Sequence, residues 1–597
     1  MHVIRSSLNE VICSFTGKNM SELTARIVRA FSAKVYPNPE DANIKALREE
    51  GEMEFRANYL GGMYPWILCG DSIAPVVCTA HDCFTTHDPA DKSIVGFFPK
   101  FDSALMDLGH YLPKIREAGM RFFRETTWQD RMMLLVTISE VAEERFWLLC
   151  AAKAHEQGQQ IGEQIGETDE EVDFPLVNAW YLERLHSNYM SLIASPPSVG
   201  NYNGKRHIPH GVFLNICPFN FPGAIPMDMA TKALAMGNAI IEKSSPKSAL
   251  SGYLVFETLK IAFERMGIEW RGVINYAPGG AEVVEAMLRS PYISGASFTG
   301  SSRVLRDIKR AHSEISRYGF AGTKAPLVFG SAETSGVNPF VVCEDADPVH
   351  AALEYVKAVV GRMGQKCSSA RLAFVPDNLY DAFVATMTKR LDELRYGDVK
   401  TGADIGALAS EADVENLHKQ INFATCEGGL STVLYEKANC HGIGYDFPPT
   451  ILEARLEALI CPGRSHEIMN MEFFGPVSTI IRYGKLTDVE KLLSMSEFAL
   501  TGSIFTNDDA TLARLIDVFP AGNLYINRKC TGALVETECF GGLRSASSPS
   551  GIKGIMTLAL FSSQQTISGF YGNGTDEGER FGTLDMLKSK GSVLSKS

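Results

Sequence analysis

No stretch of the 597-residue sequence sustains the ~18 consecutive apolar residues that a bilayer-spanning helix needs. A spanning helix is excluded on that ground, and the chain is expected to be soluble. Positive charge is also in short supply: 57 Lys and Arg stand against 70 Asp and Glu, a formal net charge of −13. Neutralising a phosphate backbone takes a basic face, so general nucleic-acid binding is excluded. The 13 cysteines are scattered, with no CxxC pair and no Cys/His cluster at zinc-like separation. Neither a disulfide framework nor a metal centre is expected, and the thiols read as those of a reduced intracellular compartment. Internal repeats and low-complexity blocks are absent.

What is present is ample core material. At 45% hydrophobic and 21% charged, the chain is neither disordered nor fibrous. Its length suits about four units of roughly 150 residues, or the two or three interwoven domains of an α/β enzyme. Residues 1–39 carry Arg5, Lys18, Arg26, Arg29 and Lys34 but also Glu10 and Glu22, and read either as a mitochondrial presequence or as an ordinary helix pair. The expected location follows that choice: the mitochondrial matrix in a eukaryote, the cytoplasm otherwise.

Residues 1–75 read as a charged helical extension running into the short apolar stretch YPWILCGD. From about 100 to 192 the 3.6-residue period dominates, interrupted by EQIGETDEEVD, which reads as a solvated loop or helix end. From 206 onward short β-rich runs alternate with helical ones, in two series. That alternation predicts βαβ units and parallel sheets, an α/β fold. Residues 573–597 lack an apolar period and read as a mobile tail.

Five places carry candidate chemistry. In GASFTGSSRVLRDIKRAH a strand ends at Gly300-Ser301 and a helix follows, either a pyrophosphate site at a helix start or a plain βα turn. In GRMGQKCSSAR, Cys367 stands near Lys366 and Arg371, as a thiol of lowered pKa or as a buried structural cysteine. Asn220, in NICPFNFPGAIP, is suited to binding an oxyanion or to capping the next helix. Glu333, between apolar strands, reads as a general base or a turn cap, and Glu472 precedes an aromatic pair and a Gly-Pro turn.

In order along the chain, PFNFP, IEKSSP, SFTGSS, AETSG, GQKCSS, EFFGPV and GNLYINRKCTGALVETECFGGLRSAS resemble the aldehyde dehydrogenase superfamily over about residues 60–575. The 23 residues from Asn220 to Lys243 and the 34 from Glu333 to Cys367 are the spacings it needs. GQKCS, GNLYINRKCTGALV with CFGG, and YPWILCGD resemble the branch that oxidises L-glutamate γ-semialdehyde, the open form of 1-pyrroline-5-carboxylate. Thr334-Ser335-Gly336 stands where a Gly-Gly pair is usual, Ser369 follows Cys367-Ser368, and SSPSGIKG departs beside the substrate loop.

The resemblance implies a Rossmann-like coenzyme domain (76–192 and 209–333), an α/β catalytic domain (334–554), and a small β-flap (193–208 and 555–572) that builds a homodimer or higher oligomer. It implies Cys367 as nucleophile, Asn220 as oxyanion donor and Glu333 as the base that activates water. It implies NAD as coenzyme, with some tolerance of NADP because Pro246 and Lys247 stand where a carboxylate would repel a 2′-phosphate. Lys243, Gly300, Ser301, Glu472 and Phe474 would hold that coenzyme. Phe221 and Phe540 would wall the aldehyde channel, and Ser368 with the Gly532-Ala533 peptide would grip the substrate carboxylate. The alternatives are succinate or aminoadipate semialdehyde as substrate, or a catalytically retired scaffold; Glu333 argues against a CoA-acylating relative.

Overall fold

The structure, a computed structural model, describes residues 38–570 except 78, 187–200, 314, 319–323, 428, 441, 457–458, 460–465 and 548–553. The segment VFLNI is buried at all five positions, as a strand covered on both faces must be, and it lies inside a seven-stranded sheet. In chain order the strands are β1 (Trp66–Leu68), β2 (Asp71–Ile73), β3 (Val212–Ile216), β4 (Ala239–Lys243), β5 (Ile274–Tyr276), β6 (Gly295–Thr299) and β7 (Val328–Glu333). Across the sheet they run β7-β6-β3-β4-β5-β1-β2. The five from β3 to β7 are parallel, and β1–β2 is an antiparallel hairpin on one edge. Phe213 and Ile240 point into one apolar core, whereas Val212, Leu214 and Ile241 point into the core on the other face.

A second seven-stranded sheet follows, made of β8 (Asn338–Val342), β9 (Ala370–Pro376), β10 (Ser431–Glu436), β11 (Thr450–Arg455), β12 (Val477–Tyr483), β13 (Thr501–Phe505) and β14 (Asn523–Ile526). Its order is β10-β11-β12-β9-β8-β13-β14, parallel throughout but for β10 against β11. One large core lies around it. β7 ends at Glu333 and β8 begins at Asn338, so a short linker joins the two sheets. A third feature is a two-stranded arm in which Asn201–Pro209 pairs antiparallel with Ser562–Phe570. The expected flap residues 193–200 and 571–572 lie outside the described residues, as do the tail 573–597 and the presequence candidate.

The structure departs from the sequence reading at three points. The expected helical extension over 1–75 holds a helix at Ala42–Asn58 but also β1 and β2, which complete the first seven-stranded sheet. Their turn residues Cys69 and Gly70 have φ of +54° and +88°, the left-handed pair that a tight hairpin uses. EQIGETDEEVD is no solvated loop: it lies inside α1 (Ile161–Arg184), with Glu167, Asp169, Glu171 and Asp173 buried. Nine described cysteines form no disulfide, but Cys83 is disulfide-bonded, a pairing that spacing alone does not reveal. Among the described residues no helix is long and apolar enough to cross a membrane, and no His/Cys/Asp/Glu group is arranged to hold a metal.

Candidate active site

Helix Pro348–Val360 stops at Gly361, and the chain then reverses through Arg362, Met363 and Gly364, all with φ between +52° and +65°. Gly364 is required there, because a Cβ would stand 2.0 Å from the Gly475 carbonyl. The reversal delivers Cys367 to the start of β9, where Asn338 Nδ2 donates to the carbonyls of Cys367 (2.7 Å) and Ser369 (2.8 Å). Thr501 Oγ1 donates to the Ser368 carbonyl at 3.2 Å. β8 and β13 thereby fix the backbone on both sides of the thiol.

The Asn220 side chain donates to the Gln365 carbonyl at 2.9 Å, which seats its carboxamide against the cysteine loop. It does not cap the following helix. That helix, α2 (Ala224–Ala235), takes Glu167 of α1 at its start: the carboxylate accepts the Gly223 N–H at 2.9 Å. Glu333 closes β7, its carbonyl accepting from Gly300 N–H at 3.2 Å and its side chain lining a cavity of about 400 Å³. The same cavity is lined by Cys367, Ser368, Phe221, Gly532, Ala533 and Phe540. Seven sequence-predicted residues from both sheets therefore share one chamber.

Of the two readings of Cys367, a thiol of lowered pKa or a buried structural cysteine, the first would draw on Lys366 and Arg371, and both are engaged elsewhere. Lys366 lies 2.6 Å from Glu163, and Arg371 is buried, donating to the Gly475 carbonyl at 2.7 Å and to those of Val477, Gly364 and Lys366. Both cations are committed to structure. The Lys366 and Arg362 charges hold the Glu163 carboxyl down to about 2 against the opposing effect of burial.

Arg362 is the residue that sequence reasoning missed most clearly. Its guanidinium lies 2.9 Å from Glu167, donates to the Asn220 carbonyl, and stacks 3.7 Å from the Phe221 ring centre. One side chain thus ties α1 to the segment carrying Asn220 and Phe221. Removing one partner of a buried ion pair costs about 3–5 kcal/mol. Arg362→Leu is therefore expected to lower the urea midpoint sharply and to slow turnover as Asn220 loosens; an unchanged midpoint would show that the pair contributes nothing.

The remaining expected residues lie outside that cavity, two of them beside the β7–β8 linker. Ser301 caps α3 (Ser302–His312), accepting from Val304 N–H at 3.3 Å, while Ser302 N–H reaches Ser335 Oγ at 3.4 Å. One residue on, Gly336 N–H donates to Glu472 Oε1 at 2.9 Å. Burial pushes the Glu472 carboxyl up. Lys243 ends β4; its ammonium makes one described hydrogen bond, to the Gly279 carbonyl at 3.1 Å, and burial brings it down to about 8. Phe474 meets Phe219 edge to face at 5.8 Å. A helix N-terminus, a buried lysine with free donors and a buried carboxylate suit a dinucleotide's pyrophosphate and ribose hydroxyls.

Residues 77–567 match the aldehyde dehydrogenase family. The chain belongs to that family. A 1-pyrroline-5-carboxylate dehydrogenase 1 from Halalkalibacterium halodurans is 30% identical over 541 residues, 89% of this chain and 97% of the relative. A 1-pyrroline-5-carboxylate dehydrogenase from Geobacillus sp. is 28% identical over 88% of this chain and 96% of its own. In fold, the aldehyde dehydrogenase architecture matches the Thermus 1-pyrroline-5-carboxylate dehydrogenase solved with bound NAD at a TM-score of 0.81 and 24% identity, over 91% of this chain and 99% of that one. Of the departing stretch SSPSGIKG, residues 548–553 lie outside the described residues.

Proposed function

We propose that this aldehyde dehydrogenase oxidises L-glutamate γ-semialdehyde, the open form of 1-pyrroline-5-carboxylate, to glutamate with NAD. The observation that carries the reading is the shared cavity, in which a thiol, a carboxylate, two aromatic walls and the Ser368 and Gly532-Ala533 segment converge. Relatives named for 1-pyrroline-5-carboxylate and covered nearly end to end support the substrate.

In this reading Cys367 Sγ attacks the aldehyde carbon and gives a thiohemiacetal. The oxyanion accepts from the second N–H of Asn220, the first being held by Gln365, and from the Cys367 backbone N–H. Loss of one such donor typically costs ~10²–10³ in rate. NAD, when bound, supplies the acceptor for the hydride whose departure leaves a thioester on Cys367. Glu333 then takes a proton from water as its oxygen attacks the thioester carbon, releasing glutamate and the thiol. Lys243 and Glu472 would hold the two riboses, Ser301 and Gly300 the pyrophosphate, and Phe474 the nicotinamide end. The paired arm supports a homo-oligomer, since a partner would cover its open edges.

The test is NADH absorbance with a panel of aldehydes. A buried carboxylate anchor left without its ligand costs ~1–3 kcal/mol, so glutamate semialdehyde should exceed hexanal by roughly ten- to more than a hundredfold in kcat/KM. Equal values would overturn the substrate. The same assay with NADP checks the coenzyme: Lys247, the cation nearest that position in sequence, is paired with both Asp413 oxygens at 2.7 Å, which leaves little to attract a 2′-phosphate. NAD should be clearly preferred, and a kcat/KM favouring NADP would reverse the assignment.

A further inference from the structure

Glu536 is held in a conformation that its residue type disfavours. Its φ is +61°, in the left-handed region where a side chain larger than glycine's is strained. Such strain persists where the surroundings dictate it, and it is frequent at sites that act on a ligand. Glu536 lies three residues beyond Ala533 on the same loop, and its side chain lines the cavity that holds Cys367. The Tyr181 hydroxyl of α1 donates to its carboxylate, and Cys539 Sγ stands 3.8 Å away.

Four of the carboxylates on the cavity wall each face a cation. Glu163 faces Lys366 (2.6 Å), Glu167 faces Arg362 (2.9 Å), Asp228 faces Lys232 (2.8 Å) and Glu538 faces Arg528 (2.8 Å). Among the described residues, no lysine, arginine or histidine nitrogen lies within 4.0 Å of the Glu536 oxygens. Burial pushes its carboxyl up to about 7, the mark of a carboxylate without a countercharge. At the other end of the loop, Lys529 lines the cavity beside Gly532, where a Cβ would stand 3.8 Å from its Nζ, and that ammonium has no described ion pair. Beside the Arg528–Glu538 pair, the loop thus offers the same chamber one cation and one anion that have no described ion pair.

We propose that Glu536 is a specificity-determining residue that binds the α-ammonium of an amino-acid semialdehyde, so that the cavity reads a zwitterion rather than a carboxylate alone. The inference rests on the proposed substrate class and deepens it. The carboxylate of the ligand meets the Lys529 and Gly532-Ala533 end, and its ammonium provides the charge that Glu536 lacks.

The decisive comparison is between glutamate γ-semialdehyde and 5-oxopentanoate, the same chain without the amino group. In the natural enzyme the amino compound should lead by at least ~10-fold in kcat/KM, as expected for a charged hydrogen bond to a buried partner. Glu536→Gln keeps the shape, and its amide oxygen still accepts from Tyr181, so folding is preserved. It should bring the ratio close to one while 5-oxopentanoate stays within about twofold. Inhibition by glutamate relative to glutarate should weaken in parallel. A variant that retains the natural ratio, or that loses both substrates equally, overturns the role of Glu536. Failure of the natural enzyme to prefer either carboxylate-bearing aldehyde over hexanal would instead remove the proposed substrate class, which keeps the two failures distinct.

Discussion

Cys367→Ala is expected to lower steady-state NADH formation at least ~10⁴-fold while leaving NAD affinity within about twofold of the natural enzyme. The reason lies in the separation of the two groups of residues. Cys367 lines the cavity, whereas Lys243 at the end of β4, Ser301 at the start of α3 and Glu472 beside the β7–β8 linker all lie outside its lining. Without the thiol no thiohemiacetal forms, and the remaining donors can only orient the aldehyde. Single removals from a catalytic set of this kind typically cost as much as removing the whole set. Fluorescence titration with NAD alongside the turnover assay separates the two effects, and a rate within tenfold of the natural enzyme would refute covalent catalysis at this position.

The second large effect concerns Glu333. Hydride departure precedes hydrolysis, so Glu333→Gln should release about one equivalent of NADH per active site in a burst and then stall with the acyl group on Cys367. Stopped-flow absorbance reads the burst, and intact-mass measurement reads the acylated protein. The substitution is conservative in shape, and the backbone bonds that set Glu333 in the sheet, including Gly300 N–H to its carbonyl, do not involve the carboxylate. A normal steady state without a burst would make Glu333 a structural residue.

Much of this was readable in the sequence because short loops at strand ends carry the chemistry. Gly300-Ser301 follows β6, Glu333 ends β7 and Cys367 precedes β9, so runs such as SFTGSS and GQKCSS keep their spacing whatever packs around them. The repeated alternation of strand and helix from 206 onward likewise follows from local periodicity. The acidic run in α1 was not readable. A periodicity argument sends charge to solvent, and only the fold brings Arg362 and Lys366 from about 200 residues away to meet Glu163 and Glu167. The short apolar stretch at Trp66–Leu68, ended by a turn, was legible, but its place in the sheet was not, because its partner strand Ile274–Tyr276 is far along the chain. Glu536 gives no sequence signal at all, since its interest lies in a dihedral angle and in the pairs its neighbours form.

The arm has a bearing on how the polypeptide is made. Asn201–Pro209 has its partner at Ser562–Phe570, and the segment just before that partner places Leu558 and Phe561 in the core beside β3, where Phe561 packs on Phe213 at 4.8 Å and its carbonyl accepts from Asn238. During synthesis from the N-terminus, the first seven-stranded sheet therefore emerges long before the residues that seal it. For that interval an unpaired strand edge and an open apolar face are exposed together, the combination that favours association between nascent chains. Contacts between residues this remote in sequence also form slowly. The Ser562–Phe570 strand thus acts as a latch, and the sheet formed hundreds of residues earlier is sealed only once that strand has left the ribosome.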